Sequence, residues 1–456
     1  MARDTVDGKI IESRDDLTAW LASGGKPPET FQIGVEHEKI PFYTSDLSPV
    51  PYEGERGIRA LLEGAKARLG WTAIEDGTSL IGLADPAGGG AISLEPGGQF
   101  ELSGGVQADV HQIGAEIEAH LDCMHKVGGA LGIGFIALGF SPKWMLAQIP
   151  AMPKSRYRIM TRYMPKVGGR GLDMMYRTAT TQANLDFADE ADMVAKLRVG
   201  LALQPTITAL FANSPFTEGR LNGFLSARSE VWRDTDAART GLLAFAFESG
   251  MGFERYVDYA LDVPLYFVKR DGVYHDVAGA SFRDLLAGRL AALPGARATI
   301  SDWSNHLSTI FPEVRLKRYL EMRGADVGPP ERMLALAAFC AGIYYDRSAL
   351  AAARDLTRMW SFESLQRLRD EVPRLGLAAT IDGRLLGDIA RDALAIARGG
   401  LANRARRNAD GEDETRYLEP LERIVGERRT PAEAWIERFK GPWRGAIDPV
   451  FAEAAI

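Results

Sequence analysis

Apolar and polar positions alternate from Phe31 to Phe42, a pattern that predicts a β-strand. Neighbouring side chains of a strand point to opposite faces of a sheet, so Glu36 and Glu38 share one face. Val35 and His37 lie on the other face, and we expect His37 to be structural. Two carboxylates side by side repel each other and resist burial. Their face therefore either meets solvent or carries a divalent cation, and this segment alone does not decide between the two.

The segment Ala91–Ser103 predicts two short strands joined by a tight turn. Pro96, Gly97 and Gly98 form the turn, because proline and glycine supply the backbone angles that turns require. A hairpin of this kind brings Glu95 and Glu101, which flank the turn, close to each other. The sequence thus predicts a second pair of neighbouring carboxylates.

Two later strand-like segments, Ala179–Phe187 and Val314–Arg323, also carry several polar residues on one face. A polar strand face either meets solvent or lines a site. For the later segment, an ion pair across strands and a metal ligand beside a phosphate-binding arginine are equally good interpretations. The side chains of interest on these faces are Gln182, Asn184, Glu321 and Arg323.

Helical spacing of apolar residues appears between these strands and dominates the chain after Pro330. Because we find no internal repeat and no linker, we expect a single α+β domain over residues 1–456. Its sheet core spans about 31–330 and its helical C-terminal part about 331–456. The predicted long helix from Asp109 to Leu131 carries His120 and His125 five positions apart, which is poor geometry for a shared metal, so we expect both at the surface.

Composition narrows the possible functions. Hydrophobic residues make up 46% of the chain and charged residues 25%, as in an ordinary globular protein. The net charge of −7 argues against a nucleic-acid partner, which requires clustered positive charge. The most apolar stretch is too short to span a membrane, and the N-terminus has no apolar signal segment. Together with the small number of cysteines, these features predict a cytoplasmic enzyme that does not bind membranes.

The predicted carboxylates, grouped on one sheet face, would hold two or three Mg²⁺ ions through oxygen ligands. Arg156, Arg228 and Arg323 are suited to bind anionic groups beside them. Several Mg²⁺ ions next to arginines are typical of phosphoryl transfer, in which positive charge neutralises the developing charge on phosphate. No phosphate-binding loop of the Gly-x-x-x-x-Gly-Lys type occurs.

At these residues the sequence resembles the plant and proteobacterial type of glutamate–cysteine ligase. The first two matching motifs read Ile33-Gly-Val-Glu-His-Glu-Lys39 and Glu95-Pro-Gly-Gly-Gln-Phe-Glu-Leu-Ser-Gly104. Further matches are Met152–Met160, Gly171–Met175, Asn213–Glu218, Tyr256–Pro264 and Phe311–Asp326. The resemblance runs from about Phe31 to the C-terminus. It implies a glutamine-synthetase-like fold, with a curved, mostly antiparallel sheet whose concave face holds Mg²⁺ and ATP.

The resemblance also implies a reaction. ATP phosphorylates the γ-carboxylate of L-glutamate, and the amine of L-cysteine then attacks the γ-glutamyl phosphate to give γ-glutamylcysteine, ADP and phosphate. This is the first step of glutathione biosynthesis. Phosphorylation is needed because a carboxylate is a poor acyl donor. Three alternatives remain open at this stage: a related ligase that uses another amine, a kinase that phosphorylates a carboxylate or guanidinium group, and a non-catalytic protein that binds Mg²⁺ on its acidic face.

Carried over residue by residue, the resemblance assigns roles to individual positions. The expected Mg²⁺ ligands are Glu36, Glu38, Glu95, Glu101, Gln182 and Glu321. The expected substrate-binding residues are Arg156, Arg228 and Tyr266, with Tyr266 in the cysteine pocket. Asn184 and Arg323 are expected to bind the nucleotide, and Glu321 and Arg323 to act in catalysis.

One departure from the plant members concerns regulation. The plant members carry redox-regulatory disulfides, and Cys123 and Cys340 do not match the cysteine positions of those disulfides. No plastid-type leader is evident. We therefore expect a bacterial, cytosolic enzyme without this switch, either a monomer or a homodimer.

Overall fold

The computed structural model describes residues 7–456; residues 1–6, on which part of the location prediction rests, lie outside that range. Its main sheet consists of β1 (Ile33–Tyr43), β2 (Thr72–Asp76), β3 (Ser79–Ala84), β4 (Ala91–Leu94), β5 (Phe100–Ser103), β6 (Ile133–Ile136), β7 (Thr180–Leu185), β8 (Val314–Leu316) and β9 (Leu320–Asp326). The strand order is β8-β9-β7-β1-β5-β4-β3-β2, and β6 also pairs with β1. Every neighbouring pair in this sheet is antiparallel.

Helices surround the sheet. They are α1 (Arg14–Ala22), α2 (Ile58–Leu69), α3 (Val110–Leu131), α4 (Ser155–Tyr163), α5 (Gly171–Arg177), α6 (Glu190–Phe211), α7 (Ala227–Val231), α8 (Phe253–Asp262), α9 (Phe282–Leu286), α10 (Ile300–Leu307), α11 (Pro330–Tyr344), α12 (Arg347–Thr357), α13 (Phe362–Leu375), α14 (Leu386–Arg404), α15 (Glu419–Glu427), α16 (Pro431–Lys440) and α17 (Val450–Glu453). Two-stranded ribbons pair 216–217 with 220–221, 240–241 with 311–312, 267–270 with 273–276, and 380–381 with 384–385.

The predicted α+β fold class is confirmed, including the antiparallel sheet and the helical C-terminal part. Helices α6 and α11 pack on β9 and β7 and are buried around most of their circumference, because apolar or small residues occupy nearly every side of both helices. The largest cluster of buried apolar side chains draws on residues from Ile11 to Ala454. The single catalytic domain over 1–456 stays a prediction.

The segment Val314–Arg323 was predicted as one strand, and this is wrong. It turns back on itself after Leu316, so that β8 and β9 form a hairpin whose turn is closed by a hydrogen bond from Lys317 N to Tyr319 O of 2.8 Å. Farther along β9 the register against β7 shifts between Met322 and Ala325, which marks a β-bulge. The prediction failed because period-two alternation does not reveal where a strand reverses.

The prediction that His120 lies at the surface is also wrong. Helix α3 packs this side chain against β1, and the rings of His37 and His120 meet edge to face with centroids 5.5 Å apart. Both are buried, and none of their ring nitrogens has a hydrogen-bond partner in the described part of the chain. Burial lowers the pKa of both histidines well below the ordinary value. His37 is therefore structural, as expected, while His125 is exposed.

Cys123 and Cys340 are both buried and free. Among residues 7–456, no helix combines the length and the apolar character needed to cross a bilayer.

The buried histidines predict a specific pH dependence of stability. A histidine with a lowered pKa takes up its proton only on unfolding, so its contribution is complete above about pH 6.5 and is lost as the pH falls below that value. His120→Leu should make the free energy of unfolding depend less steeply on pH below 6.5, by up to about 1.4 kcal/mol per pH unit. Urea denaturation across this range measures the slope. His125→Leu, the same change at an exposed site of α3, should leave it unchanged, and an unaltered slope in His120→Leu would contradict the assignment.

Candidate active site

Two neighbouring cavities lie over the sheet face that carries the predicted carboxylates. The smaller has a volume of about 110 Å³ and the larger about 600 Å³. Glu36, Arg156 and Ser308 line both, so the cavities share a wall. The larger cavity is within the size range of sites that bind small molecules and cofactors.

The acidic wall of the smaller cavity comes from β1, β5 and the turn before β5. It contains Glu36, Glu38, Glu95 and Glu101. Glu38 and Glu101 are directly opposite each other across paired strands. Burial, together with the charges of Glu95 and Glu101, raises the pKa of Glu38 well above its usual value. Burial and Glu101 likewise raise the pKa of Glu95 to about 7. The predicted grouping of these carboxylates is thus present, and it concentrates negative charge where water cannot disperse it.

Neighbouring groups fix the orientation of these carboxylates. The backbone N–H of Thr180 donates to Glu38 Oε2 at 3.0 Å, and the hydroxyl of Tyr157 donates to Glu95 Oε1 at 3.0 Å. Asn184 Nδ2 donates to Glu36 Oε1 at 2.9 Å. Within residues 7–456, no group of three or more acidic, histidine or cysteine side chains already has the geometry to hold a metal ion. The Mg²⁺ site therefore stays a prediction, supported by the excess of buried carboxylate charge.

Two arginines, the buried Arg228 and the half-buried Arg323, line the smaller cavity together with the carboxylates. Arg228 on α7 lies between the charges of Asp326 and Glu38, and its Nη2 donates to the carbonyl oxygen of Arg323 at 2.7 Å. Arg323 lies in the bulge of β9, where two residues oppose the single residue Gln182 of β7. Its Nη1 donates to Gln182 Oε1 at 2.7 Å. Arg323 and Gln182 both line the smaller cavity.

Arg156 is positioned differently, on α4 at the shared wall. Its guanidinium lies 5.6 Å from the ring centre of Phe267 and 5.8 Å from that of Tyr157. Its Nε is buried without a hydrogen-bond partner in the described structure. An arginine held against aromatic rings with N–H groups unused is suited to bind an anionic ligand.

Glu321 is fully buried and lines neither cavity of the described structure. Its carboxylate forms ion pairs with Arg315, with Lys317 at 3.0 Å and with Arg323 at 2.5 Å. Burial opposes its ionisation, but these three positive charges outweigh burial and hold the pKa of Glu321 well below the usual range. Its oxygens therefore already have cationic partners.

The larger cavity is lined by Asn184 and, at several points, by glycine backbone. Gly34, Gly89 and Gly104 lie along it, which allows a ligand to approach the main chain closely. Lys317 and Tyr319, from the turn between β8 and β9, complete a partly basic wall.

Tyr266 lines neither of these two cavities of the described structure. Its ring is only 1% exposed, with the guanidinium of Arg239 at 3.8 Å from the ring centre and Tyr163 packed against its edge. It packs in one cluster of buried side chains with Tyr157, which lines the smaller cavity.

Several residues of the site were not singled out from the sequence. Lys154, whose Nζ donates to Leu94 O at 2.7 Å, and Tyr157 lie under Glu95 within a motif already recognised. Asp326 is 1% exposed, accepts hydrogen bonds from Ser214 and Ser226, and is the main carboxylate facing Arg228. Asp326 could have been noticed as the last residue of the Phe311–Asp326 motif. No pattern of apolar and polar positions, however, identifies a single buried aspartate as part of a site.

Comparison with known proteins agrees with this geometry. Residues 32–453 match the model of glutamate–cysteine ligase family 2. The chain belongs to this family. It is 52% identical over 441 residues to the chloroplastic glutamate–cysteine ligase of Nicotiana tabacum, covering 97% of this chain and 82% of the relative. The corresponding enzyme of Arabidopsis thaliana is 51% identical over the same length, with the same coverage.

A solved structure supports the fold. The crystal structure of glutamate–cysteine ligase from Francisella tularensis in complex with AMP superposes with a TM-score of 0.52. It covers 93% of this chain and 87% of that chain at 12% sequence identity, so it bears on the fold alone. Family membership confirms the ligase activity predicted from the sequence. The predicted cytoplasmic location, however, is wrong by this comparison, because the relatives are chloroplastic enzymes.

The bulge at Arg323 yields a test of how the site is positioned. A Cβ on Gly324 would lie 1.5 Å from Nε2 of Gln204, a buried residue of α6 that cannot swing into solvent. Gly324→Ala should therefore destabilise the protein by about 1–3 kcal/mol and lower kcat by displacing Arg323. Thermal unfolding and steady-state kinetics measure the two effects. The double variant Gly324→Ala/Gln204→Ala removes the overlap and should recover part of both losses. A double variant that merely adds the two single losses would contradict the overlap as their cause.

Proposed function

We propose that the two cavities form one active site, in which this ligase phosphorylates L-glutamate with ATP and joins the product to L-cysteine. The observation that carries the proposal is the shared wall. Glu36 and Arg156 line both cavities, so a buried carboxylate and a half-buried guanidinium lie at the boundary between a small polar cavity and a larger one with room for a nucleotide. Phosphoryl transfer requires both kinds of charge at one point.

Mg²⁺ would be held by Glu36, Glu38, Glu95, Glu101 and Gln182, which line the smaller cavity. Oxygen donors of this kind are those that Mg²⁺ prefers. The raised pKa of Glu38 and Glu95 supports this assignment, because a cation would remove the repulsion that raises it. When bound, Mg²⁺ neutralises charge on the phosphate groups and on the acyl phosphate.

The substrate carboxylates are assigned to arginines. Arg156 has N–H groups to offer and reaches both cavities, so we assign it the α-carboxylate or γ-carboxylate of glutamate. Arg228 lies deeper and already balances Glu38 and Asp326, so it would hold the γ-carboxylate next to the metal. Tyr266 would influence the cysteine pocket only through the side chains packed in front of it.

ATP is assigned to the larger cavity, with Asn184 at its wall and its terminal phosphate directed at Arg323. Glu321 receives a revised role. Because it pairs with Arg315, Lys317 and Arg323, we propose that it positions these cations rather than acting as a metal ligand. An arginine held by a carboxylate keeps a fixed direction, and electrostatic stabilisation of a transition state depends on such fixed charges.

The reaction then follows from the arrangement. The γ-carboxylate oxygen of glutamate attacks the terminal phosphorus of ATP, and the bond to ADP breaks while Arg323 stabilises the charge in transfer. The cysteine nitrogen next attacks the carbonyl carbon of the γ-glutamyl phosphate, inorganic phosphate leaves, and the amine loses a proton. No side chain of the described site is an evident base, so we assign this proton to a phosphate oxygen or an acidic ligand. We also propose one catalytic domain, as a monomer or homodimer.

The metal assignment can be tested with Mn²⁺, a paramagnetic substitute for Mg²⁺. Glu95→Gln keeps the side-chain volume and removes one charge, so it should weaken Mn²⁺ binding by about tenfold or more and lower ligase activity in parallel. Electron paramagnetic resonance of free Mn²⁺ gives the affinity. Glu75→Gln, at an exposed position of β2 in the same sheet, serves as the control and should change neither quantity. Unchanged Mn²⁺ affinity in Glu95→Gln would contradict the assignment of Glu95 as a metal ligand.

The role of Glu321 can be tested separately. If Glu321 positions its three cations, Glu321→Gln should raise KM for ATP and lower kcat by about 100-fold or more, while Mn²⁺ binding without nucleotide is retained. Loss of Mn²⁺ binding would restore Glu321 to the metal ligands. Near wild-type turnover would show that neither role is essential.

A further inference from the structure

A third cavity, of about 450 Å³, lies between the start of α11, the helix α15 and the start of α16. It shares no lining residue with the two cavities of the proposed active site. Four arginines line it: Arg332, Arg423, Arg429 and Arg438. Such a concentration of one kind of side chain at a concave site needs a physical explanation.

Arg332 is the central observation. Its side chain is only 8% exposed, and its Nη1 is buried without a hydrogen-bond partner among the described residues. Burial lowers its pKa to about 10, with Glu331 and Asp326 attracting it from beyond ion-pair distance. Burying a guanidinium without a paired anion raises the free energy of the folded state, because the group loses its hydration and gains no ion pair in return.

The other three arginines differ in whether their guanidinium groups already have ionic partners. Arg429 and Arg438 each pair with a glutamate outside the cavity, although Nε of Arg429 is buried without a partner in the described structure. Arg423 is exposed and has no ion pair in residues 7–456. Two exposed glutamates, Glu331 and Glu427, also line the cavity, so its rim is mixed in charge while its buried part is basic.

The remaining lining is largely apolar. It consists of Pro329, Pro420, Ile424, Thr430, Pro431, Ala434 and Trp435. The guanidinium of Arg438 lies 5.8 Å from the ring centre of Trp435, and Nε1 of this tryptophan donates to Asn213 Oδ1 at 2.8 Å, which fixes the ring. A fixed aromatic wall beside a buried cation suits a ligand with a charged end and an apolar or flat body.

We propose that this cavity is a second binding site, for a small organic oxyanion whose carboxylate or phosphate oxygens pair with Arg332 and whose body lies against Trp435. The positive end of α11, a helix of 15 residues that begins at Pro330, adds to the attraction. The site is separate from the proposed ligase site and does not depend on the assignments made there.

Thermal unfolding of the full chain tests the proposal. The wild type and Arg332→Met are compared in inorganic phosphate and in benzoate, each against chloride at equal ionic strength. In the wild type, at least one anion should raise Tm in a saturable way. In Arg332→Met, Tm without the anion should rise, because an unpaired buried charge is removed, and the shift caused by that anion should shrink. Since the ligase site also binds such anions, the difference between the two proteins is the decisive quantity.

A second variant at position 332 and a control variant at an exposed arginine complete the experiment. Arg332→Lys retains the charge but loses the planar fork, so it should keep a smaller shift and about tenfold weaker binding by calorimetry. Arg358→Met removes an exposed arginine and should behave as the wild type. A response to phosphate alone assigns a phosphate group, and a response to benzoate alone assigns a carboxylate. Equal anion shifts in wild type, Arg332→Met and Arg332→Lys, or no shift beyond chloride, would overturn the proposal.

Discussion

Glu38 and Glu101 face each other across two hydrogen-bonded strands, each about nine-tenths or more buried, with Glu95 beside them. Like charges in this arrangement repel strongly where water is scarce, and the protein must either protonate one of them or supply positive charge. The rest of the site can be understood as the response to this constraint. A sheet that buries such a cluster is less stable than one with neutral residues, and the cost is tolerated where the charges do chemistry.

The positive charge comes from the arginines of the smaller cavity, and it is held in place by carboxylates that face away from this cavity. Asp326 supports Arg228, and Glu321 supports Arg323 together with Arg315 and Lys317. The site therefore contains two kinds of carboxylate. Among residues 7–456, Glu38 and Glu95 have raised pKa values and no cationic partner at ion-pair distance, whereas Glu321 has a lowered pKa and three such partners. This contrast in pKa and in ionic partners, more than the distance of each carboxylate from the cavity, distinguishes candidate metal ligands from positioning residues.

The arrangement of these residues includes one irregularity of the backbone, the bulge in β9. The bulge in β9 places Arg323 and Gly324 opposite the single residue Gln182, and Gly324 leaves the space that Gln204 occupies. Without the bulge, strict alternation would continue past Arg323 and place Gly324, rather than Ala325, opposite Thr181. A local departure from regular strand geometry thus connects the helix α6 behind the sheet to an arginine in front of it.

The sequence by itself determined the elements that follow from local rules. Alternation in Phe31–Phe42 and the Pro96-Gly97-Gly98 turn each act within a few residues, so their structures agree with prediction. Long motifs determined the family. The carboxylates of β1, β5 and β9 were found because charged side chains on strands are unusual, whereas Arg156 and Arg228, which lie on helices, received their roles from the resemblance.

Only the tertiary structure decided how these residues are paired. Whether Glu321 meets a metal or three cations, whether Tyr266 faces the site, and whether His120 is exposed all depend on which distant segment packs against each side chain. The reversal of the chain after Leu316 and the packing of α3 on β1 are set by contacts across the whole sheet. No pattern along the chain encodes them, because the energy that selects them is shared among residues far apart in sequence.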